Sequence, residues 1–136
     1  MTPLVRFPDW QVRLAAYIYK VRSRPFRPSS HDCALFGAGA VLAQTGVDLS
    51  VGWTGYRSLD EGLGRLQDAG FDDHISLVES LLPERSPLGA RVGDIAILDA
   101  EMGQSVGVVQ GASVYVIGRG GLGTVPLSQA KRAFLV

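Results

Sequence analysis

The spacing of apolar residues changes about two thirds of the way along the chain, from a helical period to that of strands. Before residue 83, apolar residues recur every three to four positions in four stretches, and each stretch begins at a residue that commonly caps helices. The predicted N-caps are Asp9, Asp32, Ser58 and Asp73. Gly46 and Gly70 end the second and third stretches, while Pro25 and Pro83 stop the first and fourth. The pattern therefore predicts four helices, with a loop or short turn at residues 53–56 between the second and the third.

From Pro87 onward the apolar residues follow the period of β-strands. The predicted strands cover residues 94–98, 106–109, 113–117, 122–125 and 133–136. Residues 110–112 predict a hairpin turn and residues 118–121 a second, looser one, because both contain glycine between apolar runs. A helical half followed by an antiparallel meander defines an α+β protein, and a length of 136 residues predicts a single domain over 1–136. We expect the last run, 133–136, to be an inner strand.

Cys33 is the only cysteine in the chain, and it lies where polar capping residues give way to an apolar helical pattern. Small residues at positions 34, 37, 38, 39, 40 and 43 predict that other elements pack closely against this helix, which makes it the central one. The unpaired backbone N–H groups of a first helical turn stabilise a thiolate, so a catalytic cysteine would be placed here. The alternative is a buried cysteine that packs as a small hydrophobic residue.

Composition excludes several classes of protein. Thirteen basic residues balance thirteen acidic ones, so no overall field attracts nucleic acid or an anionic membrane. The basic run of Lys20, Arg22, Arg24 and Arg27 contains one aromatic residue, Phe26, rather than a repeated pattern for base stacking, and indicates a solvated helix end and loop. A single cysteine makes no disulfide within the chain, and histidines, cysteine and carboxylates show no metal-ligand spacing. We expect a soluble protein without a cofactor, a signal peptide or a membrane span.

Several short motifs together resemble a known group of enzymes. The Asp32-Cys33 pair opens a helix of small residues, Gly93-Asp94 begins a strand, and Val-Gly-Val-Val at 106–109 precedes a hairpin. These motifs are similar to those of the NlpC-type papain-like peptidoglycan peptidases. A closer resemblance, over nearly the whole chain, is to a phage and prophage family of unknown function that is related to those peptidases and encoded among tail-tip genes. Its motifs are Trp10 with Arg13 and Leu14, Pro25-Phe26, His31-Asp32-Cys33-Ala34, residues 45–48, Gly55-Tyr56, Gly93-Asp94, residues 106–111, Gly121-Leu122 and residues 125–127.

The resemblance implies a papain-like fold in which the cysteine-bearing helix packs on an antiparallel sheet, with Cys33 as the nucleophile. It places the general base at the start of the Val-Gly-Val-Val strand, where this chain has Ser105. A serine hydroxyl does not accept and return a proton near neutral pH as an imidazole does. His31 is a second candidate base, but two residues before Cys33 it is poorly placed for proton transfer and can instead cap the helix or contact the loop. His74 has the pattern of a surface histidine in a first helical turn.

Three functions are consistent with these observations. The first is a structural component of a phage tail tip or baseplate, built on a peptidase scaffold without its base, located in the virion and bound to other tail-tip proteins. The second is an active tail-associated peptidase or amidase that uses Cys33 on peptidoglycan peptides, with His31 or a partner chain supplying the base. The third is a tail assembly chaperone. If the resemblance is right, Ser105→His is structurally tolerated.

Overall fold

Four helices precede the sheet in the computed structural model, which describes residues 4–28, 30–100 and 103–136. They are α1 (Trp10–Val21), α2 (Cys33–Thr45), α3 (Leu59–Asp68) and α4 (His74–Leu81). The predicted caps at the last three helices are confirmed, because the side chains of Asp32, Ser58 and Asp73 accept hydrogen bonds from the backbone N–H groups of Leu35, Glu61 and Ser76. Gly46 ends α2 with φ at 76°, a left-handed conformation that glycine adopts without steric cost.

Six strands form one antiparallel sheet. They are β1 (Glu84–Arg85), β2 (Ile95–Ala100), β3 (Gly103–Val109), β4 (Ser113–Gly118), β5 (Gly121–Pro126) and β6 (Arg132–Phe134), in the spatial order β1-β6-β2-β3-β4-β5. Two short 3-10 helices, Pro87–Gly89 and Leu127–Gln129, lie in the connections. Strands β2 to β5 form the predicted meander, and helices plus an antiparallel sheet confirm the α+β class.

Helix α2 packs between α1 and the middle of the sheet. Phe36 and Ala40 of α2 are fully buried in a core with Ile95 of β2 and Val106 and Val108 of β3. The glycines of α2 allow this close approach, since a Cβ at Gly37 would lie 2.7 Å from Val106 Cγ1. The predicted central position of the cysteine-bearing helix is therefore confirmed.

The buried carboxylate of Asp94 links both ends of the chain to the sheet. It accepts hydrogen bonds from the backbone N–H groups of Arg91, at 2.9 Å, and Val136, at 3.1 Å. Its oxygens also lie 3.7 Å from Arg6 Nη2 and 3.5 Å from Arg85 Nε. Asp94 thereby closes the turn before β2, and its ion pairs connect this turn to the residues before α1 and to β1.

Some local predictions differ from the structure. Asp9 precedes α1 but makes no capping bond, because its carboxylate accepts a hydrogen bond from Arg13 Nε at 2.7 Å instead. The turn between β4 and β5 is tight rather than loose, since Gly118 pairs directly with Gly121. The inner-strand prediction for 133–136 is confirmed at Ala133 and Phe134, which lie in β6 between β1 and β2. Ser29, within the predicted loop before Cys33, is outside the described residues.

Candidate active site

Cys33 is the first residue of α2, as its sequence pattern predicts, and its side chain is partly buried against β3. The preceding residue, Asp32, holds this helix end in place. Its Oδ1 accepts from Leu35 N at 3.0 Å, and its Oδ2 accepts a short hydrogen bond from the Tyr56 hydroxyl. Asp32 therefore has the structural role of an N-cap and connects the start of α2 to the loop at 53–56.

The side chain of His74 lies beside the Cys33 thiol, close enough for each group to shift the pKa of the other. His74 is the first residue of α4, and Asp73 immediately before it caps that helix. The Nε2 atom of His74 lies 3.0 Å from the carbonyl oxygen of Gln104, an acceptor, so Nε2 carries the proton of that bond. This leaves Nδ1 as the ring nitrogen with a free lone pair, the group that a general base requires.

The two side chains shift each other's pKa toward the charged forms. Burial on its own raises the pKa of the Cys33 thiol, but hydrogen bonds with His74, with the Val106 N–H and with the Ser105 hydroxyl outweigh burial, so the pKa lies below its ordinary value. Burial likewise lowers the pKa of His74, whereas its hydrogen bond and charge interaction with Cys33 raise that pKa above the ordinary value. The arrangement favours a thiolate beside an imidazolium.

Ser105 lies in β3 next to Cys33 and contributes its hydroxyl to the sulfur. The strand position that the resemblance assigns to a base is therefore adjacent to the cysteine. In this chain the position supplies a hydrogen-bond donor, and the imidazole comes from α4 instead. Three groups thus surround the sulfur: the His74 ring, the Ser105 hydroxyl and the Val106 N–H.

A comparison with known protein families shows which family the chain belongs to. Residues 5–136 match the family described as Domain of unknown function (DUF6950). The chain belongs to the DUF6950 family. No curated protein matches the sequence of this DUF6950 domain.

His31 of this DUF6950 domain contacts α2 and the loop before it. The His31 ring packs edge-on against Phe36, with ring centroids 6.1 Å apart, and its backbone pairs with Arg27. Only 6% of the residue is exposed, and its Nε2 has no hydrogen-bond partner among the described residues. Burial and the nearby charge of Arg24 lower the pKa of His31. His31 therefore contacts the loop, which is the alternative to a role as base.

The prediction of His74 as a surface residue is wrong, because its ring is half-buried between Cys33 and the Gln104 carbonyl. The first-turn position is correct, but the packing of α4 against β3 turns this face of the helix inward. The sequence offered one signal for this position of His74: it is the only histidine besides His31 and therefore the other candidate for an imidazole base.

Among the described residues, no three histidine, cysteine or carboxylate side chains are close enough to hold a metal ion. No helix in the same ranges has the length and apolar character needed to cross a membrane.

Proposed function

We propose that this DUF6950 domain is a cysteine hydrolase of amide bonds, with Cys33 as the nucleophile and His74 as the general acid and base. The observation that carries the proposal is the placement of the His74 ring beside the Cys33 thiol, with its Nε2 held 3.0 Å from the Gln104 carbonyl oxygen. The backbone carbonyl of Gln104 orients the imidazole, the part that an asparagine or aspartate side chain has in other thiol and serine hydrolases. The position of Ser105 beside Cys33, the cysteine-bearing helix and the antiparallel sheet support a papain-like fold of the NlpC type.

The proposed reaction has two stages. The Cys33 thiolate attacks the carbonyl carbon, forming a C–S bond, and the C–N bond breaks as His74 donates its proton to the leaving amine. A water molecule then attacks the thioester while His74 accepts its proton, which releases the carboxylic acid and restores the thiolate–imidazolium pair. The backbone N–H groups of Cys33 and Ala34 lie at the N-terminus of α2, where they can stabilise the oxyanion of each tetrahedral intermediate.

The resemblance suggests peptidoglycan peptides as the substrate and a phage tail as the place of action.

The proposal predicts that purified protein releases new amino groups from isolated peptidoglycan sacculi. It also predicts that reaction with p-nitrophenyl acetate leaves an acetyl group on Cys33, which intact-protein mass spectrometry detects. Cys33→Ala removes both signals. His74→Ala lowers hydrolysis by about 100- to 10,000-fold, the usual contribution of general acid–base catalysis. Ser80→Ala, on the exposed side of the same helix, is the matched control and keeps full activity. Hydrolysis that persists in Cys33→Ala contradicts the proposal.

A structural part of a tail tip is the second candidate function. Ser105 favours it, because the position that holds the base in related peptidases lacks an imidazole in this chain. In that function the domain binds other tail-tip or baseplate proteins in the virion, and neither sacculi nor esters are cleaved. Activity assays on the folded protein therefore distinguish the two candidate functions. Hydrolysis that depends on His74 supports the hydrolase, and the absence of any hydrolysis supports the structural part.

A further inference from the structure

An apolar groove begins beside the Cys33–His74 pair and runs between α2, α4 and the loop that joins α2 to α3. Its cavity volume is about 80 Å³. His74 lines one end, and Ala34, next to Cys33 in the chain, lies on the wall formed by α2. The groove is therefore continuous with the proposed reaction centre.

Side chains from three elements form the walls of the groove. They are Ala38 of α2, Leu49, Trp53 and Tyr56 of the loop, and Leu77 and Leu81 of α4. The loop is held in position by an edge-on contact of Trp53 with Phe71, with ring centroids 6.0 Å apart, and by Arg65, whose Nη1 donates to the Thr54 carbonyl at 2.6 Å. The shape of the groove consequently comes from ordered contacts on both sides.

No aspartate, glutamate, lysine or arginine lines the groove in the described part of the chain. A substrate group that carries a charge would lose its hydration there without an opposite charge to replace the water. An aliphatic or aromatic group instead exchanges water for contacts with leucine, tryptophan and tyrosine side chains. The lining thus favours apolar substrate groups over charged ones.

We propose that this groove binds an uncharged apolar group attached next to the scissile carbonyl, and that it sets the substrate preference of the domain. The interpretation of the groove as a substrate subsite rests on the proposed function. Two kinds of substrate carry such a group: a peptide with an aliphatic or aromatic side chain, and an acyl compound with a hydrocarbon chain.

Alkylation of Cys33 by N-alkyl maleimides tests occupation of the groove without any hydrolysis. Rate constants for the N-methyl, N-butyl and N-octyl reagents, each divided by the rate constant for glutathione, report how each chain is bound. We expect the ratio to rise with chain length by up to about fourfold for each methylene that becomes buried. Ala38→Phe fills the groove and removes this rise. Ala16→Phe, at an exposed position of α1, is the matched control and keeps the rise.

Substrate hydrolysis then separates the two sources of the apolar group. One arm compares p-nitrophenyl octanoate with the acetate, and the other compares coumarin amides of peptides that end in leucine or in aspartate. A preference for octanoate identifies an acyl chain, and a preference for leucine over aspartate identifies a peptide side chain. Ratios that do not change with reagent length in the wild-type protein overturn the groove assignment even if Cys33 hydrolyses its substrates. A rise in those ratios without hydrolysis of any substrate supports the groove and contradicts the proposed hydrolase.

Discussion

The imidazole of His74 lies beside the thiol of Cys33, and each of these residues is the first of its helix. An aspartate immediately before each one, Asp32 or Asp73, caps the helix and fixes where it begins. The geometry of the pair is therefore determined by how α2 and α4 pack on β3, and substitutions that change this packing will change the chemistry of the sulfur.

Gly37 controls the distance between α2 and β3. We predict that Gly37→Ala lowers the free energy of unfolding by about 1–3 kcal/mol, because its Cβ would lie 2.7 Å from Val106 Cγ1 and the strand beside Cys33 must shift. Gly64→Ala in α3 is the matched control, since nothing lies within 4 Å of the added Cβ, and it stabilises by about 0.5–1 kcal/mol through helix propensity. Urea unfolding measures both changes, and equal effects of the two substitutions would show that α2 does not pack closely on β3.

The buried carboxylate of Asp94 stabilises the join between the chain ends and the sheet. Removing it in Asp94→Ala leaves Arg6 and Arg85 without their partner and two backbone N–H groups without an acceptor. We predict a loss of about 3–5 kcal/mol in urea unfolding, the range for breaking a buried ion pair. Asp99→Ala, at an exposed position of β2, changes stability by less than about 0.5 kcal/mol. A loss below 1 kcal/mol for Asp94→Ala would contradict this role.

His31 makes the fold less stable in mild acid. Burial and Arg24 lower its pKa in the folded state, so below the ordinary pKa of about 6.5 the unfolded chain binds more protons than the folded protein. Stability therefore falls as the pH drops from 7 to 5, with a slope from this one residue of at most about 1.4 kcal/mol per pH unit. We expect His31→Leu to fold, because it removes a buried nitrogen that lacks a partner among the described residues. The variant should also reduce the slope, because the imidazole that takes up the proton is gone. Thermal unfolding at several pH values measures the difference, and identical slopes for the two proteins would refute the prediction.

Ser105 and Gln104 contact the reacting pair through different atoms. The Ser105 hydroxyl bonds the sulfur, so Ser105→Ala should raise the pKa of Cys33 and slow its alkylation at pH 6.5, by less than the loss of His74 does. Gln104 orients His74 through its backbone carbonyl, which Gln104→Ala retains, so that variant should alkylate at the wild-type rate. Slower alkylation in Gln104→Ala would show that the glutamine side chain takes part.

The sequence predicts most of the secondary structure because local chemistry determines where these helices begin and end. The capping residues Asp32, Ser58 and Asp73 mark three helix starts correctly, and alternating apolar residues locate the strands of the meander. The insertion of β6 between β1 and β2 has no local signal, since a run of three residues does not specify its partner.

The candidate site was predicted only in part for a similar reason. Cys33 and the neighbouring position of Ser105 follow from motifs within continuous segments. His74 approaches Cys33 only when α4 packs on the sheet, and the sequence around it, with two aspartates and a helix start, is equally typical of an exposed helix end. The identity of the candidate base depends on tertiary packing, whereas the candidate nucleophile can be recognised from the local sequence pattern.

The rate of Cys33 alkylation by iodoacetamide between pH 5 and 9, in the wild-type protein and in His74→Ala, tests the central claim most directly. We predict a wild-type profile with an apparent pKa below the ordinary cysteine value of about 8.5, because the interactions with His74, Val106 and Ser105 together outweigh burial of the thiol. His74→Ala should shift that pKa upward, because burial of the thiol is then less well compensated. Coincident profiles for the two folded proteins, or a wild-type thiol that reacts only after unfolding, would contradict an activated Cys33–His74 pair.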